Sequence, residues 1–365
     1  MRTTAAVLEG PGTDFAFVEV DLDEPRGHEV LVRIVATGLC HTDLTVPTML
    51  PPEMFPKVLG HEGTGVVEAV GPEVRGIEVG DHVVLSFTSC GACGPCGEGA
   101  VGYCEQSMVL NYLGLRLDGS TTMSRDGAPV FGSFFGQSSL ARHALADERN
   151  CVVVDRDLDL GLLAPFGCGF QTGAGTVLNI IDPQPGDSLV VFGAGAVGLA
   201  AVAAAVGVGT DTVVAVDPQA SRREVAAAYG ATTIDPTEEG AAPVEERVRD
   251  ATGGGAAYAI DTTALPGVVL QAQHALRPRG VLIALGLGAA EYTIDAVDLL
   301  QSGKVVRSSI EGEADPRSMI PELVRMRAAG RFDVDHLVTT YPFERIADAI
   351  ADVEAGRVVK PVLTW

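Results

Sequence analysis

Basic residues are scarce in this sequence, and a signal for export is missing. Of its 365 residues, 25 are Lys or Arg and 48 are Asp or Glu, so the formal net charge is −23 at pH 7. Such a chain repels phosphate groups at long range, which excludes nucleic acids and anionic membranes as expected partners. The first residues, MRTTAAVLEGPG, lack the apolar run of a signal peptide. We therefore expect a cytoplasmic protein.

Long apolar runs are also rare, and one stretch reaches the length of a membrane span. It runs from Leu189 to Val208 and carries no charged residue over 20 positions, which by length permits a transmembrane helix. The same stretch contains a glycine pattern typical of phosphate-binding loops and has no flanking basic cluster. We therefore expect a strand and a helix of a globular domain instead.

Length and composition favour a two-domain globular protein. Hydrophobic residues make up 47% of the chain and charged residues 20%, a balance that supports a substantial core and argues against disorder. A single hydrophobic core seldom grows beyond about 250–300 residues. A chain of 365 residues is therefore expected to form two domains.

The pattern of apolar residues changes along the chain. In the first part, short β-type runs such as Glu29–Ala36 and Cys151–Val154 alternate with Gly/Pro turns. The glycine-rich segment Ser107–Ser138 has few periodic apolar residues and is expected to be a long, functional surface loop. Later, buried strands such as Ser188–Phe192 alternate with alanine-rich helices such as Ala196–Ala205. This alternation predicts an α/β fold with a doubly wound parallel sheet.

Four closely spaced cysteines indicate a structural metal site. Cys90, Cys93, Cys96 and Cys104 follow the pattern CxxCxxCx7C, and the small residues between them allow tight turns around one tetrahedral ion. A zinc ion enclosed by four thiolates adds stability and has no open position for a substrate. The alternatives are free thiols or a redox pair in a turn-rich loop, and an iron–sulfur cluster with similar ligand gaps.

A second, different set of metal-binding residues comes from three separate segments. Cys40 lies in GLCHTD, His61 in GHEGTG and Cys168 in FGCGFQTGAG. Two cysteines and a histidine leave a fourth position of zinc open for water or an alcohol, as a catalytic zinc requires. Alone, a cysteine is usually a small buried residue and a histidine is usually structural. Their occurrence together with the four-cysteine group predicts a catalytic zinc site.

Neighbours of these ligands have chemistry suited to the same site. Asp43 can accept the remaining ring N–H of His61 and fix its tautomer. Thr42 can relay a proton, because a hydroxyl both donates and accepts. Glu62 adjoins the histidine and is expected behind the zinc, where it tunes the coordination. The alternatives are a turn carboxylate, a strand threonine and a surface glutamate.

A glycine-rich loop follows the predicted strand SLVVF. Gly193, Gly195 and Gly198 form GxGxxG before a helix, where glycines permit a tight turn and the close approach of a pyrophosphate to the helix N-terminus. Asp217 ends the next predicted strand, roughly 20 residues further on, where a carboxylate is expected to bind the adenosine ribose hydroxyls. This context predicts a dinucleotide-binding site.

Asp217 also favours NAD over NADP as the cofactor, because a carboxylate repels a 2′-phosphate at that position. Arg222 and Arg223 follow closely and complicate the prediction. They can flank the adenine or reach a phosphate, and the alternative is a solvated helix start. We predict NAD, with Arg222 among the residues that bind it.

Together these motifs resemble those of the zinc-containing medium-chain alcohol dehydrogenases, over essentially the whole chain. The GHE segment, followed by Gly65 and Gly71, matches the zinc signature of that family. The resemblance implies a GroES-like β-rich catalytic domain formed by residues 1–169 and 309–365, and a Rossmann NAD-binding domain over residues 170–308. It also implies two Zn²⁺ ions per chain and a homodimer or homotetramer.

The resemblance further implies roles for three residues outside the motifs. His41 and Lys360 would contact the pyrophosphate, and Thr172 would lie beside the nicotinamide. Two segments are similar to those of the aryl and allylic alcohol branch, such as benzyl alcohol dehydrogenases. They are FFGQSSLA at Phe134–Ala141 and GCGFQTGAGTVLN at Gly167–Asn179.

Two positions depart from the family pattern. Thr45 stands where many members have a relay histidine, so the relay is expected to end in water or another base. Ser86 stands where an aromatic side chain often lines the pocket, which leaves the pocket's shape open. Outside these motifs, Cys151 is expected to be a buried free thiol.

The predicted function is therefore the interconversion of a primary aromatic or allylic alcohol and its aldehyde, with zinc and NAD. One alternative is a dehydrogenase of thiol–formaldehyde adducts, which shares the same frame. Another is a protein that binds zinc and NAD without turnover. A zinc-free quinone reductase of similar architecture is disfavoured by Cys40 and the four-cysteine group.

Overall fold

A computed structural model describes the whole chain, Met1–Trp365. Its strands are β1 (Arg2–Leu8), β2 (Ala16–Leu22), β3 (Glu29–Gly38), β4 (Lys57–Val58), β5 (Gly63–Val70), β6 (His82–Leu85), β7 (Met123–Arg125), β8 (Ala128–Val130), β9 (His143–Asp147), β10 (Cys151–Val154), β11 (Ser188–Phe192), β12 (Thr212–Val216), β13 (Thr232–Ile234), β14 (Ala256–Asp261), β15 (Leu276–Ala284), β16 (Val305–Ser308), β17 (Val338–Pro342) and β18 (Lys360–Thr364). Its α-helices are α1 (His41–Met49), α2 (Gly94–Gly97), α3 (Leu160–Leu163), α4 (Gly169–Gly175), α5 (Ala196–Gly207), α6 (Ala220–Ala228), α7 (Val244–Ala251), α8 (Pro266–Ala275), α9 (Ala296–Ser302), α10 (Pro316–Ala328) and α11 (Ile346–Glu354).

The chain divides into two compact units, of which the first is rich in β-structure. This first unit comprises Met1–Cys168, Ala314–Glu322 and Asp335–Trp365. One of its sheets has the strand order β4-β1-β2-β7-β8, and the other has the order β10-β6-β5-β3-β18-β17, with β9 beside β3. Valine-rich strands suit these sheets, because β-branched side chains pack well on a pleated, half-buried surface. The carboxyl-terminal strand β18 pairs antiparallel with β3, so both ends of the chain contribute to this unit.

The second unit, Gly169–Glu313 with Leu323–Val334, contains one parallel sheet. Its six strands have the order β13-β12-β11-β14-β15-β16, so the direction of winding reverses between β11 and β14. Every residue of β11 is buried, as expected for a strand covered by helices on both faces. This is the doubly wound arrangement of a Rossmann domain, and it confirms the predicted α/β fold class.

The uncharged stretch from Leu189 to Val208 is divided between two elements of this second unit. It forms most of β11, the glycine-rich loop and helix α5. No helix in the structure combines the length and the apolar character that crossing a membrane requires.

The expectation of a long surface loop over Ser107–Ser138 is wrong for several parts of that segment. It contains a π-helix, Met108–Leu113, and the β7–β8 hairpin, which extends the first sheet through pairing of β7 with β2. Met123 and Val130 of this hairpin are buried. The segment lacks periodicity because its apolar residues pack one at a time against distant strands, which no local pattern reveals.

Lys57, in β4, is a lysine without solvent exposure. Its Nζ donates to the carbonyl oxygen of Leu113 at 2.7 Å, at the end of the π-helix. The ring centres of Phe131 and Phe134 lie 5.5 and 5.8 Å from Nζ. With no carboxylate among these contacts, burial lowers the pKa of Lys57 to about 7.

We expect this buried lysine to make the first unit more stable as the pH rises. In the unfolded chain a lysine has a pKa of about 10.4, so between this value and the folded value the unfolded state binds more protons. The free energy of unfolding of wild type, minus that of Lys57→Met, should therefore increase by about 2 kcal/mol from about pH 7 to about pH 9. Urea unfolding followed by fluorescence of the single tryptophan, Trp365, measures this difference.

The matched control for this measurement is Arg156→Met, which removes a cation whose side chain is 65% exposed. The free energy of unfolding of wild type, minus that of Arg156→Met, should stay constant over the same pH range. If the corresponding difference for Lys57→Met also stayed constant with pH, this would contradict the conclusion that burial lowers the pKa of Lys57.

Candidate active site

Four side chains with metal-binding atoms converge in the first unit. Cys40, His61, Glu62 and Cys168 each place one such atom within 4.8 Å of all the others. Cys40 immediately precedes α1, His61 and Glu62 lie between β4 and β5, and Cys168 ends the unit's first segment. The structure thus brings together all three of the predicted catalytic zinc ligands, with a carboxylate beside them. Two thiols and an imidazole are a ligand set that suits Zn²⁺.

His61 supplies the observation that tests this fit. The residue is completely buried, and its Nδ1 lies 3.0 Å from Oδ1 of Asp43. Its Nε2 is also buried and has no hydrogen-bond partner. A buried polar nitrogen without a partner is costly, and a metal ion bound to its lone pair would remove that cost. The residues present therefore fit a zinc ion.

The surroundings of Cys40 favour its negatively charged form. The hydrogen bond with Cys168 contributes most to a pKa for Cys40 well below the ordinary value of a thiol. Burial opposes this effect, and the positive charge of Lys360 reinforces it. The thiolate is the form of cysteine that binds zinc. The surroundings of Cys40 therefore favour the form of this side chain that a zinc site needs.

Glu62 and Lys360 form a buried ion pair next to the zinc ligands. Nζ of Lys360 lies 2.5 Å from Oε2 of Glu62, and the two side chains are 2% and 0% exposed. The ammonium group also donates to the carbonyl oxygen of Leu39 at 3.2 Å. The contact of Lys360 with a pyrophosphate stays a prediction. Its contact with Glu62 could not be predicted, because no local pattern in the sequence links these two residues.

The four-cysteine group has the dimensions of a closed zinc site. The Sγ atoms of Cys90 and Cys96 lie 4.0 Å apart, as do those of Cys93 and Cys104. A tetrahedral ion with zinc–sulfur bonds of about 2.3 Å requires sulfur atoms roughly 3.8 Å apart. None of these cysteines forms a disulfide. The backbone N–H of Cys90 donates to Sγ of Cys104 at 3.2 Å, which helps to stabilise a thiolate there.

The remaining predicted residues near the catalytic site lie at the start of α1. Oγ1 of Thr42 lies 3.7 Å from Sγ of Cys40. His41 is the first residue of the helix and is exposed, and Thr45 follows on the same helix. Thr42 therefore lies beside a predicted zinc ligand, and its role as a proton relay stays a prediction.

Ser86 directly follows β6, and Cys151 begins β10, the strand that pairs with β6. The hydroxyl of Ser86 donates to the carbonyl oxygen of Gly167 at 2.6 Å and is buried. Cys151 is a buried free thiol in β10, as predicted, and burial raises its pKa. Cys151 belongs to neither of the two groups of converging metal-binding side chains.

The glycine-rich loop of the second unit lies between β11 and α5, where the strand order reverses. Gly193 has a φ of +90°, and a Cβ on Gly198 would lie 1.9 Å from the carbonyl oxygen of Gly193. Only glycine fits both positions. Gly195 directly precedes α5, so the loop presents the start of this helix at the carboxyl edge of the sheet. Such an edge is where doubly wound sheets bind the pyrophosphate of a dinucleotide.

Asp217 follows β12 and is 2% exposed. Its carboxylate accepts the backbone N–H groups of Ala194 and Gln219, each at 2.8 Å. Nη1 of Arg222 lies 3.8 Å from this carboxylate, and Nε of Arg222 is buried without a partner. Arg223 donates to the carbonyl oxygen of Asp217 at 2.8 Å and so helps to stabilise the backbone between β12 and α6. Of the two arginines, Arg222 is the one beside the carboxylate.

Sequence reasoning missed Glu311, which lies against Thr172. Its Oε2 accepts the Thr172 hydroxyl at 3.2 Å and the side-chain amide of Gln171 at 3.0 Å. Glu311 is 6% exposed and has a φ of +52°. A single glutamate about 140 residues from Thr172 gives no local signal in the sequence. In the structure, its buried carboxylate helps to orient the hydroxyl group of Thr172.

Gln137 and Asn150 were missed as well. Both side chains are completely buried, and their amide groups donate to the carbonyl oxygen of Ser86 at 2.9 and 3.0 Å. Gln137 also donates to the carbonyl oxygen of His61 at 2.9 Å. The segment FFGQSSLA is noticeable in the sequence only through a family resemblance, which does not reveal the carbonyl groups that an amide reaches.

We expect Asp43→Asn to weaken zinc binding at the Cys40, His61 and Cys168 site by 10- to 100-fold, roughly the effect of losing an outer-shell carboxylate. The substitution removes the charge that orients the His61 ring, and it leaves the three ligands in place. Competition with a chromophoric chelator measures the affinity. The control is Asp348→Asn, whose carboxylate is 55% exposed. Equal zinc affinities for wild type and Asp43→Asn would contradict the proposed role of this carboxylate.

Comparison with known proteins agrees with this architecture. Residues 26–156 match a family model described as the alcohol dehydrogenase GroES-like domain, and residues 196–329 match one described as zinc-binding dehydrogenase. The chain is 45% identical over 365 residues to a geraniol dehydrogenase of Castellaniella defragrans. That alignment covers 99% of this chain and 97% of the relative.

Two solved structures resemble the chain over its full length. An alcohol dehydrogenase zinc-binding domain protein from Burkholderia ambifaria is 44% identical, with a TM-score of 0.95. Benzyl alcohol dehydrogenase from Acinetobacter calcoaceticus is 39% identical, with a TM-score of 0.94. Both comparisons cover 100% of this chain and 99% of the other. The chain therefore belongs to the zinc-containing medium-chain alcohol dehydrogenase family, with relatives in its allylic and aryl alcohol branch.

Proposed function

We propose that this protein interconverts primary alcohols that carry an allylic or aromatic group and the corresponding aldehydes, with NAD as the hydride carrier. The observation that carries the proposal is the meeting of two thiols with the buried, unpartnered Nε2 of His61. Similarity to a geraniol dehydrogenase and a benzyl alcohol dehydrogenase supports the substrate class.

Residues of the first unit bind the metal and handle the alcohol proton. When bound, zinc supplies a Lewis acid for the alcohol oxygen, and NAD supplies a hydride acceptor. Cys40, His61 and Cys168 would hold the ion, and a three-residue ligand set of this kind leaves one position of zinc for a substrate. The Thr42 hydroxyl accepts the alcohol proton and donates its own proton onward. Because Thr45 replaces a relay histidine, that proton leaves through water or another base.

Glu62 and Lys360 adjust the charge around the metal. The Glu62 carboxylate lies within 4.8 Å of the other three ligand atoms and so can approach the ion. The ammonium group of Lys360, 2.5 Å from that carboxylate, would compete with a bound ion for it. Glu62 could therefore approach the metal while it keeps its ion pair with Lys360.

Residues of the second unit bind the cofactor in this proposal. The loop of Gly193, Gly195 and Gly198 receives the pyrophosphate. Each carboxylate oxygen of Asp217 accepts one backbone N–H and keeps further acceptor capacity for the ribose hydroxyls. Its negative charge favours NAD, and Arg222 beside it contacts the adenosine end.

Two further contacts with the cofactor complete this proposal. His41, which is exposed at the start of α1, would contact the pyrophosphate, and Thr172 would lie beside the nicotinamide. We assign the enzyme to the cytoplasm, a reducing compartment in which its seven free cysteines remain thiols or metal ligands.

Removing one zinc ligand tests the proposed function. In Cys40→Ala and in Cys168→Ala, NADH formation from benzyl alcohol should fall by at least about 1,000-fold, because the Lewis acid is lost. Binding of NADH, measured by fluorescence titration, should remain at the wild-type level. Cys151→Ala, which removes a buried thiol that binds no metal, is the matched control and should stay active. Full activity in either ligand variant would refute the assignment.

The same assay identifies the substrate and the cofactor. Wild type is offered an aromatic, an allylic and a short aliphatic alcohol with NAD and with NADP, and its zinc content is measured. Faster reaction of the first two alcohols with NAD is the expected result. Preference for formaldehyde plus a small thiol would instead identify a dehydrogenase of thiol–formaldehyde adducts.

We also propose that two copies of the chain associate through the second unit. Strand β16 is the last strand of the parallel sheet. Exposed apolar side chains accompany it, including Leu300 (85% exposed), Val297 (62%) and Val305 (48%). An exposed apolar patch at the edge of a sheet is typical of an interface between identical subunits.

Leu300→Glu should break this association, because it places a charge in the centre of the apolar patch. Analytical ultracentrifugation is expected to give at least twice the chain mass of 37.8 kDa for wild type and a lower mass for the variant. Leu117→Glu, at a leucine that is 60% exposed in the first unit, is the control. A monomeric wild type would contradict the proposal.

A further inference from the structure

Aromatic side chains form a wall beside the zinc-ligand histidine. The ring centre of Phe135 lies 4.7 Å from that of His61, with an interplanar angle of 36°. Tyr112 contacts Phe135 edge-on at 5.5 Å, and Phe134 contacts His61 edge-on at 5.7 Å. Phe134 is completely buried, whereas Phe135 keeps 7% of its surface exposed. Of these rings, Phe135 lies nearest to the imidazole of His61, so it is the aromatic side chain closest to the candidate metal site.

Phe135 holds this position with an unusual backbone. Its φ of 52° and ψ of 33° are left-handed, and the following residue, Gly136, has a φ of 67°. A residue with a Cβ avoids this region, and it remains there only where the surrounding structure stabilises it. The ring therefore depends on other groups for its place beside His61.

The side chain of Asn150 provides that support. Its Nδ2 donates to the carbonyl oxygens of Phe135 at 3.3 Å, Gly136 at 3.2 Å and Ser86 at 3.0 Å. Its Oδ1 accepts the backbone N–H of Asp147 at 2.8 Å. This second bond determines the orientation of the amide, because only the oxygen can accept, so the NH₂ group must face the three carbonyl oxygens. Asn150 is completely buried, and water cannot replace it as a donor.

We propose that Asn150 is a positioning residue that sets the substrate preference through Phe135. By binding the two left-handed carbonyl groups, it keeps the Phe135 ring against His61, where the ring stacks on the unsaturated group of the alcohol. Short aliphatic alcohols gain nothing from this ring. The inference rests on the proposed function, since it requires that an alcohol binds beside His61.

Asn150→Asp tests this inference, because it preserves the shape of the side chain and replaces the NH₂ donor by an oxygen. The quantity measured is the ratio of kcat/KM for benzyl alcohol to kcat/KM for 1-butanol. We expect the ratio to fall about 3- to 10-fold in Asn150→Asp and equally in Phe135→Leu, as the loss of one aromatic contact would give. The double variant should show no further decrease, because both changes remove the same contact.

A binding measurement separates positioning from a general loss of activity. The unreactive amides benzamide and butyramide are titrated into the enzyme with NADH. In both single variants, the dissociation constant of benzamide should rise by about 3- to 10-fold, the range expected for the kcat/KM ratio. The dissociation constant of butyramide should stay constant. If Asn150→Asp does not fold, Asn150→Ser, which retains one hydroxyl donor, takes its place with the same expected direction.

The matched control is Asn111→Asp, at another buried asparagine of the first unit. Its amide bonds the backbone of Thr88, with both distances 3.0 Å, and also donates to the hydroxyl of Ser107 at 3.2 Å, whereas the amide of Asn150 donates to the carbonyl oxygen of Phe135. This variant should keep the wild-type ratio, even if its stability is lower. An unchanged ratio in Asn150→Asp, or a further decrease in the double variant, would overturn the inference. A wild type that oxidises no alcohol would instead contradict the proposed function.

Discussion

The catalytic site depends on the carboxylate of one buried residue, Asp43. It accepts the backbone N–H groups of Cys40 and Gly60, and it lies 3.0 Å from Nδ1 of His61. These contacts connect the two segments that carry Cys40 and His61, the first two candidate zinc ligands. Because the carboxylate occupies one ring nitrogen, the other nitrogen keeps its lone pair for a metal. The position of the ligands is therefore established by the protein itself, as a precise metal site requires.

Electrostatics impose a second constraint on this protein. A chain with a net charge of −23 repels an anionic cofactor unless local groups overcome the overall field. In the proposed function, the backbone N–H groups at the start of α5 provide one such local attraction. Arg222, 3.8 Å from Asp217, would provide another. Lys360 is used differently, since its charge is buried against Glu62 and acts on the metal ligands.

The parts of the fold and site that were predictable have signals within a few neighbouring residues. The four cysteines from Cys90 to Cys104 and the glycines from Gly193 to Gly198 show their chemistry by spacing alone. The alternation of strands and helices in the second unit is equally local. Prediction failed for Ser107–Ser138, because β7 of that segment pairs with β2, about 100 residues away.

The sequence by itself determined the fold class and the family, and it predicts the types of metal ligand and the cofactor loop, because each follows from residue type and short-range spacing. Only the tertiary structure decided that Lys360 pairs with Glu62, that Asn150 binds the carbonyl group of Phe135, and that burial lowers the pKa of Lys57. Such contacts join residues far apart in the chain. Their strength comes from the exclusion of water, which exists only once the chain has folded.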